Sequence, residues 1–168
     1  MSAIISPCGK YRYRLDRECA SVTGAQTFAY FGVNPSTADA TIDDATVRKW
    51  RGFTTRNGGS SFIVGNVFAY RATDVRELSA LAPHVARGPS NWGHIWQIIQ
   101  DADVLVPCWG NSAKVPHTFR HEMRAFLRWL HTAGKPVLHF GLTAAGDPKH
   151  PLMLGYDTPL LPLLPDER

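Results

Sequence analysis

The feature that most constrains this chain is a set of short apolar runs set between stretches with helical periodicity. Thr27 to Val33 is one such run, ending at Asn34-Pro35, where proline removes a backbone donor and stops strand pairing. Ser61 to Phe68, Val104 to Cys108 and Lys135 to Phe140 read the same way, the last two stopping at Trp109-Gly110 and Gly141. Between them lie helical patterns. Asp43 or Asp44 can cap a helix carrying Val47, Trp50 and Phe53, closed near Asn57-Gly58-Gly59. Asp74 to Leu81 reads as a short helix, and Ser90 as the cap of a helix presenting Trp92, Ile95, Trp96 and Ile99. Pro116 opens a longer helix with Phe119, Met123, Phe126, Leu127 and Leu130, closed by Gly134. Near the amino terminus, Tyr11, Tyr13 and Leu15 alternate with Arg12 and Arg14 over Lys10 to Leu15, the pattern of an edge strand with one wet face. The tail from Pro148 is proline-rich and reads as irregular.

Strands alternating with helices predict an α/β fold of βαβ units, with a mostly parallel central sheet and helices on both faces. The 168 residues contain no repeat, linker or low-complexity stretch, so residues 1–168 are expected to form a single domain. Ligands of such sheets bind outside the carboxyl ends of the strands. Polar or glycine-marked segments follow strand ends at Asn34-Pro35-Ser36, Asn66 to Arg71, Trp109-Gly110-Asn111 and Gly141 to His150, so four loops are expected around one cleft.

Composition narrows the function classes. No apolar run approaches the roughly 20 residues of a membrane span. The start, Met1 to Cys8, lacks the basic and apolar regions of a signal peptide, so a cytoplasmic location is expected. Cys8, Cys19 and Cys108 are widely spaced with no Cys-x-x-Cys pair, which argues for reduced thiols and against a cysteine-built zinc or iron–sulfur site. His117 and His121 stand at i and i+4 beside Glu122, but no third ligand accompanies them. Neither a metal nor another cofactor is expected. A net charge of +4 permits a nucleic-acid partner without requiring one.

The candidate chemistry lies in the polar loops. Asn34, Ser36, Thr37, Asp39, Thr41, Asp43 and Asp44 crowd the segment after the first buried run, where amides and hydroxyls can face a ligand. A carboxylate there can orient or deprotonate water, whereas an asparagine can only orient it. The same residue types also favour turns and helix caps. Asp39, just past the strand end, reads as the water-orienting carboxylate, and Asp43 and Asp44 as better placed for capping. Asn66 interrupts the apolar run Phe62 to Phe68, and its amide suits either the Watson–Crick edge of a base or neighbouring backbone. His150 sits between Pro148 and Pro151, in a loop held stiffly. Arg120, Arg124 and Arg128 form a stripe that reads as phosphate-tracking or as a plain wet helix face.

These residues also carry a resemblance. Gly32-Val33-Asn34-Pro35-Ser36-Thr37-Ala38-Asp39, the Asp43-Asp44-x-Thr46-Val47-Arg48 after it, Asn66 to Arg71, Trp109-Gly110 and His150-Pro151-Leu152 resemble a bacterial and phage family of domains of unknown function. That family is in turn distantly similar to the uracil-DNA glycosylase superfamily, where a strand ends in Gly-x-Asn-Pro-Gly or Gly-Gln-Asp-Pro-Tyr and a His-Pro-Ser motif closes the site. The resemblance implies a three-layer α/β/α sandwich. It implies that Asn34 positions the attacking water, Asn66 recognises a flipped base, His150 stabilises the departing base, and Leu152 fills the gap left in the stack. Ser36 after the proline, and His-Pro-Leu without a following Ser-Pro, depart from the pattern, so fold and cleft carry over further than uracil does.

Together these readings give a hydrolase of the N-glycosidic bond of a modified or damaged base in DNA. Asn34, Asp39 and His150 are the expected catalytic residues, and Ser36, Thr37, Asp44, Asn66, Arg71 and Leu152 the expected substrate contacts. Arg48, Arg51, Arg71 and Lys149 are expected to make the cleft rim positive. The rival readings are a non-catalytic nucleic-acid or nucleotide-binding module, and a transferase acting on a modified base or nucleoside.

Overall fold

The computed structural model describes residues 1–19, 24–36 and 38–165. Among the described residues, seven strands and four α-helices follow in chain order: β1 (Ser2–Ile5), β2 (Arg12–Glu18), β3 (Gln26–Gly32), α1 (Ala45–Arg56), β4 (Gly59–Asn66), α2 (Pro83–Arg87), α3 (Asn91–Asp101), β5 (Val104–Pro107), α4 (His117–His131), β6 (Leu138–His139) and β7 (Leu161–Pro162). Short 3-10 turns occupy Val75–Ala80, Ser112–Lys114 and Pro151–Met153.

The main sheet has five strands in the order β1-β2-β4-β3-β5. β3 runs parallel to β4 and to β5, whereas β1–β2 and β2–β4 are antiparallel. The α/β class holds, but the sheet is mixed rather than mostly parallel. The cause is the amino-terminal hairpin. Ser6 to Tyr11 reverses the chain with Gly9 at φ +72°, a left-handed position, and a hairpin needs only such a tight turn to add strands where a parallel pair needs a crossover.

The same hairpin overturns the edge-strand reading of Lys10 to Leu15. β1 covers that flank, β2 is internal, and Arg12, read as wet, is only 3% exposed; Arg17, further along β2, is 1% exposed. Lys135 to Phe140 is also not a fourth central strand. Pro136 has no N–H to donate, and Val137 makes a single parallel bridge to Leu105. β6 pairs instead with β7, antiparallel, in a separate two-stranded sheet, which gives regular structure to part of a tail expected to be irregular.

Hydrophobic side chains gather in two cores. Phe28, Tyr30, Phe62 and Val64 pack with Val47, Trp50 and Phe53 of α1. Their neighbours along the strands, Ala29, Phe31 and Ile63, pack with Ile95 and Ile98 of α3 and Phe119, Met123 and Phe126 of α4. The alternation follows from the period of two of a strand. On α3 the buried set is Asn91, Ile95, Ile98 and Ile99. Trp96 stays 56% exposed, so the expected Trp92–Trp96 face was rotated from the true one; the Ile95-Ile98-Ile99 spacing of i, i+3, i+4 marks the apolar stripe. Ser90 makes no side-chain cap, whereas Asp44 caps α1 by accepting from Val47 N. Among the described residues, no helix is long and apolar enough to cross a membrane.

Candidate functional site

β3 and β4 end side by side, with Gly32 paired to Asn66. Beyond those ends, and beyond β5 at Trp109-Gly110, a cavity of about 750 Å3 opens. Its position at the carboxyl edge is where the strand-end rule puts ligand sites. Gly32 makes room for it: a Cβ there would lie 2.9 Å from Asn66 Nδ2, so any larger residue would push the Asn66 amide aside.

The structure brings Asn34, Ser36, Asp44, Asn66, His150 and Leu152 onto this one cavity. Asn34 is clamped. Its Nδ2 donates to Ala72 O at 2.8 Å and to Pro35 O at 3.2 Å, which spends both amide hydrogens and leaves Oδ1 as an acceptor. Asn66 is 3% exposed. Its Oδ1 receives Arg12 Nη2 at 3.5 Å, and its backbone carbonyl is held by Asn91 Nδ2 at 2.9 Å. Among the described residues Asn66 Nδ2 has no hydrogen-bond partner, so it is available to a ligand acceptor.

His150 caps the 3-10 turn Pro151–Met153, its Nδ1 accepting from Leu152 N at 3.3 Å. An accepting Nδ1 carries no proton, so the neutral ring bears its hydrogen on Nε2. Burial pushes this imidazole below its ordinary value, Lys114 adds to the effect, and Asp44 opposes it. Gly110, at φ +78°, lies against His150, and a Cβ there would stand 3.1 Å from the His150 Cβ.

That depressed value predicts a pH response. The unfolded chain takes up a proton near pH 6.5, while the folded chain resists it until lower pH. This contribution to stability is therefore lost as pH falls through 6.5, and levels off below the folded value. Protonation also sets an Nδ1–H against the Leu152 N–H and loosens the capped turn. An NMR titration should give His150 a midpoint below 6.5, with Leu152 N–H shifting along it; a midpoint at or above 6.5 would contradict the assignment.

Two expected residues stand elsewhere. Asp39 does not line the cavity: its Oδ1 accepts from Thr41 N at 2.8 Å, Thr41 Oγ1 at 3.1 Å and Ile42 N at 2.9 Å, closing a turn on itself. Those backbone hydrogen bonds hold its carboxyl below the usual range. Arg71 reaches Gly9 O and is likewise absent from the lining. Thr37 lies outside the described residues. The carboxylate of this loop that does face the cavity is Asp44, which caps α1 through Oδ1 and takes the Ser36 hydroxyl on Oδ2 at 2.7 Å. Asp44 thus caps α1 as expected and lines the cavity as well, while Asp39 closes its own turn away from it.

The expected positive rim is also different. Arg51 is paired with Asp43 at 2.8 Å, and Arg48 donates to Asp43 O at 2.6 Å. Neither lines the cavity, whereas Lys114, Lys149 and the buried Arg12 do. Arg12 was missed because alternation assigned it to the wet face of an edge strand. Among the described residues, no group of His, Cys, Asp or Glu could hold a metal ion; His117 and His121 are exposed on α4.

Fold and cavity together define an α/β fold built on a mixed five-stranded sheet, with a ligand-sized cavity of mixed polar and apolar lining at its carboxyl edge. The chain belongs to the family described as Protein of unknown function (DUF1643), whose match spans residues 12–152. That span runs from Arg12 to Leu152 and so takes in most of the cavity lining. No curated protein and no solved structure matches the chain.

Proposed function

We propose that this protein hydrolyses the N-glycosidic bond of a modified or damaged base in DNA, on a fold of the uracil-DNA glycosylase type. The observation that carries the reading is the presence of Asn34, Asn66 and His150 on one cavity, each with the hydrogen-bonding capacity the reaction needs. A flipped base requires a pocket with donors and acceptors for its edge, and Asn66 supplies an amide there. Asn34 Oδ1, fixed by its clamped Nδ2, accepts a hydrogen from water and aims the oxygen at the anomeric carbon. The new C–O bond replaces the C–N bond, the base leaves with the electron pair, and the proton that the water loses passes to the Asp44 carboxylate. His150 Nε2–H then meets the charge that develops on the base. Asp44 is the carboxylate available to the water or to the cationic sugar.

A second reading is a site for a free nucleotide or nucleoside, with or without chemistry. It is favoured by the loss of Arg48, Arg51 and Arg71 from the rim, which leaves few cations to follow a DNA backbone. The test is incubation of wild-type protein with a panel of oligonucleotides, each carrying one modified base. Released free base and an alkali-sensitive abasic site are expected for at least one member, and neither for Asn34→Ala. Binding without release across the panel would reject hydrolysis. Release from mononucleotides alone would favour the second reading.

A further inference from the structure

Among the described residues two arginines are buried, and they are treated differently. Arg17 is fully partnered: it pairs with Asp43 at 2.6 Å and donates to the carbonyls of Ser2, Asp16, Asp39 and Ile42. Arg12 is 3% exposed and has two contacts for its five N–H donors, Ala38 O at 2.7 Å and Asn66 Oδ1 at 3.5 Å. Among the described residues no carboxylate stands within ion-pair distance of it. Asp44, which is near enough to act on it electrostatically, already serves Ser36 and Val47. An isolated buried charge is costly, and proteins normally pair it. Asp44 offsets one of the three lining cations Arg12, Lys114 and Lys149, and a positive surplus remains. Lys114 and Lys149 add positive charge, and the other lining carboxylate, Asp74, is bound to Arg76 at 2.6 Å.

We propose that Arg12 and Asn66 form an oxyanion subsite in this cavity, and that the ligand bears a carboxylate or phosphate group that enters it. A planar guanidinium fork matches either group in two-point contact, and Asn66 Nδ2 supplies a further donor beside it. The subsite rests on the reading of the cavity as a base or nucleotide site and names what that ligand must carry. Arg12 is then the residue that selects charged over neutral ligands.

Isothermal titration tests this with two matched pairs: uracil against 5-carboxyuracil, and deoxyuridine against its 5′-phosphate. At least one charged member should bind wild-type protein about tenfold or more tightly than its neutral partner. Which pair shows the gain tells whether the charge sits on the base or the sugar. Arg12→Gln should erase that gain, and Arg12→Lys, a point charge without the fork, should keep only part of it. If Arg12→Gln fails to fold, Arg12→Lys decides: a gain reduced by roughly threefold or more supports the subsite, and an unchanged gain overturns it. No gain in either pair, or a gain that survives Arg12→Gln, also overturns it. Base release with no Arg12-dependent gain would sink this proposal alone. An Arg12-dependent gain with no base release would sink hydrolysis alone.

Discussion

Asp43→Ala should lower the stability of the fold by about 3 kcal/mol, seen as a reduced urea midpoint at unchanged slope. Asp43 receives Arg17 Nε on one oxygen at 2.6 Å and Arg51 Nη2 on the other at 2.8 Å. Burial alone would raise its carboxyl; the hydrogen bonds from Arg51 and Arg17 outweigh that and hold it below the usual range. The Arg17 side chain is 0% exposed, so removing Asp43 strands a charge with no water to take it. Breaking a buried pair from one side costs about 3–5 kcal/mol, and the lower end applies because Asp43 keeps 20% exposure. Replacing both partners removes the stranded charge, so Arg17→Met with Asp43→Ala should cost less than Asp43→Ala alone. A single-variant loss below about 1 kcal/mol, the range of an exposed pair, would refute the role. The same pair anchors the loop before α1, through Arg17 Nη2 to Asp39 O at 2.5 Å, so Asp43→Ala should also loosen the cavity lip.

Much of the sheet could be read directly because its signals are local. β3, β4 and β5 are apolar runs bounded by residues that end strands, and α1 and α4 carry both a periodic apolar stripe and a stop. What escaped the reading is non-local. Whether Arg12 faces water depends on β1 covering the flank of β2, and nothing within Lys10 to Leu15 encodes that partner. The pairing of β6 with β7 joins segments more than twenty residues apart, one of them proline-rich. Trp96 misled for a different reason: an aromatic at i+4 from Trp92 fits a helical face, yet the isoleucines fill the core and Trp96 is left outside.

The site followed the same division. Asn34, Asn66 and His150 were visible because polar residues at strand ends are conspicuous against apolar runs. Asn34 and Asn66 meet on one cavity through the parallel register of β3 and β4, and the loop tied by Gly110 N to Pro148 O brings His150 to it. The assignment of the loop carboxylates could not be made from spacing. Asp39, Asp43 and Asp44 are equivalent in type, and what separates them is which hydrogen bonds the folded loop gives each. Asp39 closes its own turn, Asp43 binds two arginines, and Asp44 shares itself between a cap and the cavity.

That separation yields the second large effect: Asp44→Asn should cut base release by roughly 10²–10⁴-fold while the melting temperature barely moves. Asparagine is as good an N-cap as aspartate, so the acceptor for Val47 N, now at 2.8 Å, survives the change. The fold therefore keeps α1 in place, and what is lost is the negative charge on the cavity wall. A neutral amide neither takes a proton from water nor stabilises a cationic sugar. Asp39→Asn is the control. Its carbonyl still accepts from Thr41 N and Ile42 N, so the turn persists and the melting temperature should barely move. Because Asp39 does not line the cavity, turnover should stay near the wild-type rate. Single-turnover rates and thermal melts of the two variants, measured side by side, make the comparison. If Asp39→Asn abolishes turnover and Asp44→Asn does not, the catalytic carboxylate is Asp39, and the loop must rearrange around substrate to deliver it. Equal, small losses at both positions would leave Asn34 alone to orient the water, with Asp44 acting only as the cap of α1.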